Sequence, residues 1–232
     1  MEQNKKHFTS IIIGAGASGL MCAAHLAESG SVLVLEKNPA AAAKVKISGG
    51  GKCNFTNLGA ASGNYLCNNP HFVKSALARF TPQDILKILQ QNHIKYEERQ
   101  NQQMFAFSTA EIADMLLQNC QKKNVKIQTK CLINSVNKQD DIFKIETSSG
   151  CFSCTNLIIA AGGMSYPKIG ATDFGYKIAR QFGHKIVNPR PALVGLTAPA
   201  DLRSFCSELS GASVPVIISI GKKKISRSLL FT

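Results

Sequence analysis

Hydrophobic residues are grouped along the chain in runs whose length and period change at glycine and proline. Phe8 to Ile13 is a short apolar run that meets Gly14, as a buried parallel strand would. Ala17 to Ser29 then reads as a helix, and Val32 to Leu35 is a second short apolar run. Strand, glycine turn, helix and strand within about thirty residues predict a βαβ unit, whose crossover is expected to be right-handed.

Beyond Glu36 the periodicity lapses through Asn57, a stretch too long for an idle connection. Helical spacing resumes at Phe72, Ala76, Leu77 and Phe80 and again at Ile85, Ile88 and Leu89, predicting helices over Pro70–Phe80 and Pro82–Gln91. Lys95–Phe107 reads as a hairpin. Ser108-Thr109-Ala110-Glu111 has the pattern of a capping box for a helix running to about Lys123. Alternation then predicts strands over Val125–Val136, Ile142–Thr147 and Cys151–Ala160, followed by a helix over Asp173–Gln181 that stops at Gly183. Pro189 and Pro191 mark a boundary. From Leu193 the pattern is β-rich, with strands Val214–Ile220 and Ile225–Phe231 around a turn at Gly221. No internal repeat is present.

Composition narrows the class. A chain of 232 residues with 44% hydrophobic and 18% charged residues buries a sizeable core and accommodates one large domain, or one and a part. No apolar run approaches the roughly 20 residues of a membrane span, and the longest candidate, Ile11–Ala27, is interrupted by Gly14, Gly16, Ser18, Gly19 and His25. Lys5 and Lys6 before apolar residues superficially resemble a signal peptide, but the glycine pattern accounts for that segment better, so a cytoplasmic protein without membrane attachment is expected. The eight cysteines sit singly, apart from Cys151 and Cys154, whose lone C-x-x-C lacks a second pair or nearby histidine for zinc. The five histidines are scattered and suggest no ligand set. A net charge of +13 favours polyanionic partners, acidic cofactor or nucleic acid alike. The only dense basic run is Lys222, Lys223, Lys224 and Arg227.

The candidate chemistry begins at Gly14-Ala15-Gly16-Ala17-Ser18-Gly19. The first glycine permits a tight turn, the second lets backbone N–H groups approach a pyrophosphate, and the third allows close strand-to-helix packing. A helix N-terminus then faces the anion. Glu36 ends the second strand, seventeen residues past Gly19, where a carboxylate accepts hydrogen bonds from ribose hydroxyls and repels a 2′-phosphate. The combination points to dinucleotide binding over a small-residue helix merely packed on a sheet. These residues alone leave FAD and NAD both open. Cys53, beside Lys52 in a glycine-rich loop, is read either as a general acid or as a small packing residue. Tyr166 is read either as facing a ligand or as a wedge before Pro167.

Two strings, Lys46-Ile47-Ser48-Gly49-Gly50-Gly51-Lys52-Cys53-Asn54-Phe55-Thr56-Asn57 and Gly162-Gly163-Met164-Ser165-Tyr166-Pro167-Lys168, resemble signatures of the HI0933-like (YhiN-type) flavoprotein family. Arg190-Pro191-Ala192-Leu193-Val194 and Leu229-Leu230-Phe231-Thr232 resemble two more, so the likeness covers nearly the whole chain. It implies an α/β fold: a Rossmann-like FAD-binding domain of the two-dinucleotide-binding-domain flavoprotein type, with the start of an inserted β-rich domain. The expected division is 1–192 for the Rossmann-like domain, with a helical insertion over about 64–124, and 193–232 for the beginning of the β-rich domain. Family members continue past the position of Thr232, so a truncated chain is expected.

By the same resemblance, Gly14, Gly16, Ala17, Ser18 and Gly19 hold the pyrophosphate of FAD, Glu36 its ribose, and Ile133 its adenine. Lys37 and Lys44 are expected near the phosphates; Ser48, Gly49, Gly50, Gly51, Cys53 and Asn54 along the flavin side; and Ala161, Gly162 and Gly163 in a second FAD motif. The implied activity is an FAD-dependent oxidoreductase, with NAD(P)H a candidate electron donor. Reduction of uridine in ribosomal RNA and amine oxidation of the aminoacetone type, on a small molecule, are the two implied reactions. A fragment that binds nucleotide or RNA without turnover is the third reading.

Overall fold

The structure, a computed structural model, describes residues 6–191 and 194–231. It divides into two compact units, Met1–Ile186 and Val187–Thr232. The boundary expected at 192/193 and Thr232 lie outside the described residues.

The first unit starts with β1 (Lys6–Ile13), α1 (Ala17–Leu26) and β2 (Val32–Leu35), the βαβ unit that the sequence predicts. α1 ends three residues earlier than Ser29, its last turn giving way to a bend before Gly30. The stretch read as irregular holds α2 (Ala43–Lys46), a 3-10 turn over Ser48–Gly51 and β3 (Asn54–Asn57). The helix expected over Pro70–Phe80 is only α3 (Lys74–Arg79). Before it, the Asn69 side chain accepts from the His71 N–H at 3.0 Å, a local turn that competes with helix formation.

α4 (Pro82–Gln91) has the predicted bounds. Its N-cap, Thr81, exchanges bonds with Asp84; the Thr81 hydroxyl, the Thr81 N–H and Lys87 together hold the Asp84 carboxyl down to about 2. β4 (Tyr96–Arg99) and β5 (Gln103–Ala106) form the expected hairpin, and β3 adds to it, giving an antiparallel sheet in the order β3-β5-β4. α5 (Thr109–Lys122) follows, with the Ser108 hydroxyl accepting from the Glu111 N–H.

The single strand expected over Val125–Val136 is two, β6 (Lys126–Gln128) and β7 (Ile133–Gln139). Lys130 between them takes φ +54°, and the Lys130 and Cys131 N–H groups bond to the carbonyls of Asn38 and Glu36. That pairing bends the chain around the end of β2 and breaks the alternation. β8 (Ile142–Thr147), β9 (Gly150–Ile159) and α6 (Phe174–Gln181) lie within a residue of expectation. The main sheet runs β6-β2-β1-β9-β8-β7. Pairs among β6, β2, β1 and β9 are parallel, and β8 and β7 are antiparallel.

Alternation in β2 sorts the core. Val32 and Val34 pack with Leu20, Ala23, Ile112 and Leu116 of α1 and α5, while Leu33 and Leu35 pack with Val136, Ile145 and Ile178 of β7, β8 and α6. Burial also pushes the Cys154 thiol of β9 up to about 11.

The second unit contains α7 (Arg203–Glu208), which the sequence reading did not anticipate, and the hairpin β10 (Ser213–Ile220) with β11 (Lys223–Leu230). Its register runs from Ser213 opposite Leu230 to Ile220 opposite Lys223, and Gly221 turns with φ +57°.

Two glycines and one carboxylate pin β1, α1 and β2 together. A Cβ on Gly19 would stand 2.0 Å from the Gly14 carbonyl oxygen, and one on Gly14 would stand 2.4 Å from that of Ala160. Glu36, buried at the end of β2, accepts the Ala15 N–H on Oε2 and the Asn38 N–H on Oε1, both at 2.8 Å. Gly19→Ala is expected to lower unfolding free energy by about 1–3 kcal/mol, measured by urea titration, because backbone must move to admit a methyl. Glu36→Gln keeps one acceptor but turns an amide donor toward the other N–H; a loss of about 1–3 kcal/mol in the same titration is expected. An unchanged midpoint in either variant would contradict the corresponding contact.

Candidate functional site

The turn from β1 into α1 opens onto a cavity of about 640 Å³, within the span of small-molecule and cofactor sites. The C-terminal ends of β1, β2 and β9 supply its floor through Gly14, Glu36 and Ala160. That is where open α/β sheets bind ligands, because the loops diverge there.

The glycine loop is built for an anion. Gly16 is the N-cap of α1, with no side-chain cap and no acidic residue in the first turn, so the first N–H groups of a ten-residue helix lack side-chain acceptors. A Cβ on Gly16 would meet nothing within 4 Å, and its backbone, at φ −83° and ψ −174°, suits any residue. The space beside Gly16 therefore belongs to the cavity. Gly14 and Gly19, by contrast, are required by packing, and Gly19 is not on the cavity wall.

Around this loop the wall has two characters. One arm carries polar side chains, Glu36, Lys37, Asn38 and Thr172, set among apolar ones such as Leu132, Ile133 and Phe174. Each Glu36 oxygen uses one backbone N–H and retains acceptor capacity for a hydroxyl. Lys37 Nζ lies 3.5 Å from the Thr172 hydroxyl, and the Asn38 amide donates to the Ile169 carbonyl at 3.3 Å, tying the end of β2 to the 166–172 turn. Gly170, at φ +85°, permits that approach: a Cβ there would lie 2.7 Å from Asn38 Oδ1.

The other arm is apolar and reaches between α1, α4 and α5 to Met21, Leu89, Ile112 and Met115. Cys53, Asn54 and Phe55 border it. Cys53 is buried, and its carbonyl accepts from the Ala106 N–H at 2.9 Å. That bond fixes the residue between the 3-10 turn and β5. Thr109 Oγ1 donates to the Lys46 carbonyl at 2.9 Å, anchoring α5 to α2.

Most of the residues singled out in the sequence converge here. Gly14, Gly16, Ala17, Ser18, Glu36, Lys37, Lys44, Ser48, Cys53, Asn54, Ile133, Ala161, Gly162 and Gly163 all line the cavity. Gly49 and Gly51 do not; with Gly50 they shape the 3-10 turn that leads into Cys53, and a Cβ on Gly49 would press the Phe105 ring at 3.3 Å. Tyr166 is also off the wall. It takes a left-handed φ of +65°, is 62% exposed, and lies under Lys44, whose Nζ is 5.8 Å from the ring centroid and donates to Ser165 Oγ at 2.7 Å. Sequence reasoning missed Asn38, Thr172 and the apolar arm, because Leu89, Ile112 and Met115 read only as core faces of helices. Among the described residues no cluster of three or more His, Cys, Asp or Glu could hold a metal, and no helix is long and apolar enough to cross a membrane.

Known proteins share this arrangement of sequence. The chain is 44% identical over 230 residues to the ribosomal RNA dihydrouridine synthase of Haemophilus influenzae, covering 96% of this chain and 57% of that protein. It is 40% identical over 230 residues to the Escherichia coli protein of the same name, covering 98% of this chain and 58% of the relative. A 3-dehydro-bile acid delta(4,6)-reductase of Clostridium scindens is 27% identical over 190 residues, covering 80% of this chain and 46% of that protein. The chain thus spans under three fifths of the length of these relatives. The model of the HI0933-like protein Rossmann domain matches residues 8–221, and the chain belongs to the HI0933-like family.

Proposed function

We propose that the cavity holds FAD and that the full-length protein reduces uridine to dihydrouridine in ribosomal RNA. The observation that carries the cofactor reading is the uncapped N-terminus of α1 beside the open space at Gly16. The pyrophosphate would lie against Gly14–Ser18, the ribose against Glu36, and the adenine against Ile133, with Lys37 and Lys44 balancing phosphate charge. The flavin ring would run past Ala161–Gly163 toward Ser48, Cys53 and Asn54, where the wall turns apolar. FAD rather than NAD is favoured by the kinship with the HI0933-like family.

When bound, FAD supplies the two electrons of the reduction as a hydride, and NAD(P)H is the proposed donor that replenishes them. The residues of this chain do the rest. The apolar arm excludes water from the ring, and the backbone N–H groups of the glycine loop hold the anion. Saturating the C5–C6 bond of uridine takes up one hydride and one proton. Cys53, on the cavity wall, is the proposed proton donor. The names of the three relatives, two synthases of a reduced base and one reductase, favour this reading over an amine oxidase. An rRNA substrate also implies the compartment in which ribosomes are assembled. In the same reading, the elements over about 64–124 are an insertion and residues from 193 onward belong to a β-rich domain.

Purified protein is expected to be yellow, with flavin absorbance near ~450 nm that Gly16→Val abolishes. Because Gly16 has room for a side chain and ordinary φ and ψ, the unfolding free energy of Gly16→Val should match that of the flavin-free wild-type chain to within the roughly 1 kcal/mol that a poorer N-cap costs. Wild-type flavin stoichiometry in Gly16→Val would refute the pyrophosphate site. In the full-length protein, Cys53→Ala should retain FAD but lower dihydrouridine formation about 10²–10⁴-fold, the usual share of a general acid. Undiminished turnover in that variant would leave Cys53 a packing residue.

A further inference from the structure

Residues 58–80 leave the cavity wall and return to it. β3, which contributes Asn54 and Phe55 to the wall, leads out, and α4, which contributes Ile85 and Leu89, leads back. No residue between them is buried, although the segment is not polar. Leu66 is 98% exposed, Phe72 74%, Tyr65 47% and Phe80 45%. Tyr65 and Leu66 stand together on one concave surface, and apolar side chains so exposed on a segment with no core of its own mark a surface meant to be covered.

Charge indicates by what. Residues 58–80 contain Lys74 and Arg79 and no aspartate or glutamate, and the acid-free stretch extends from Lys37 to Gln83. Neither cation takes part in a salt bridge among the described residues. A protein segment covering this surface would have to supply all the compensating acids. A polynucleotide brings one phosphate per nucleotide, together with flat bases for the aromatic rings.

The segment also has a concavity of its own, of about 700 Å³, lined by Tyr65, Leu66, Cys67, Asn68, Pro70 and Lys74. It places together an aromatic face, an amide with donor and acceptor, and an ammonium. Those are the three groups that hold an unpaired nucleotide by its base plane, base edge and phosphate. The Cys67 thiol donates to the Asn69 carbonyl at 2.8 Å, and the Asn69 side chain caps the turn at His71, so the rim is held by local bonds. A duplex would present neither a free base plane nor a base edge to such a hollow.

We propose that residues 58–80 are an RNA-binding surface, with the Tyr65–Lys74 hollow taking a single-stranded nucleotide flanking the base that enters the cavity. This rests on the reading of the protein as acting on ribosomal RNA, and it identifies the part of the chain that would grip the strand. The two ends of the segment, at β3 and α4, connect that grip directly to the cavity wall.

The test uses the 232-residue chain with a fluorescein-labelled single-stranded oligoribonucleotide, a duplex RNA of equal length, and flavin content measured in parallel. Tyr65→Ala and Phe72→Ala should each weaken single-strand binding about tenfold, as loss of a stacked base does. Lys74→Glu should also flatten the dependence of log K on log salt by about 1. Unfolding midpoints should stay at the wild-type value, since these side chains are exposed. Lys223→Glu, at the start of β11, controls for general attraction to a basic chain. Wild-type RNA affinity in the Tyr65 and Phe72 variants, a loss in Lys223→Glu equal to that in Lys74→Glu, or equal affinity for the duplex would each overturn the proposal. A colourless wild-type chain whose RNA binding still falls in the variants would count against the flavin reading and leave the surface standing. A yellow chain with unaltered variants would do the reverse.

Discussion

Three backbone segments meet where β1 turns into α1, closer than side chains allow. The Gly14 carbonyl sits against Gly19, and Gly14 itself sits against the carbonyl of Ala160 at the end of β9. This steric constraint fixes the angle at which α1 leaves the sheet and therefore the direction in which its N-terminus points. Both the cavity floor and its anion-seeking wall follow from it. β9 also pairs with β8 along its first half, so the strand that closes on Gly14 is the one that joins the parallel and antiparallel parts of the sheet.

Glu36 extends that constraint to the neighbouring strand. By accepting from Ala15 and Asn38 it joins the glycine loop to the chain leaving β2, and the Cys131 N–H on the Glu36 carbonyl brings the start of β7 to the same place. A carboxylate in a half-apolar wall is costly unless hydrogen-bonded, and here backbone donors satisfy it. Structure and binding thus draw on one group. The bonds that orient the carboxylate for the fold leave it facing the cavity with lone pairs to spare.

The cavity has its polar and apolar arms because two different parts of the chain build them. Loops at the ends of parallel strands expose backbone groups and short polar side chains. The α4–α5 side offers the same helical faces that make the core, and Leu89, Ile112 and Met115 belong to both. A ligand with a charged middle and a flat, greasy end suits that division. The segment between β3 and α4 then adds an exposed, acid-free surface at the border of the apolar arm.

The βαβ unit, α4, the β4–β5 hairpin, β8 and the glycine loop were legible in the sequence, because each depends on interactions within a few residues: alternation, helical period, a cap, a tight turn. Glu36 was legible too, as an acid at the end of a strand. What could not be read was set by contacts far apart in the chain. Lys130 and Cys131 break a run that alternates well enough to be one strand, because they bond to Asn38 and Glu36. Asn38 and Thr172 join the site only through the turn that Gly170 lets approach, and a residue's period cannot distinguish a core face from a cavity wall. The sequence by itself determined that this chain forms a glycine-loop Rossmann unit with an acid at its second strand. Only the tertiary structure decided which helices close the cavity and which glycines face it, since packing distance between segments more than a hundred residues apart, such as Gly14 and Ala160, has no signature in either segment alone.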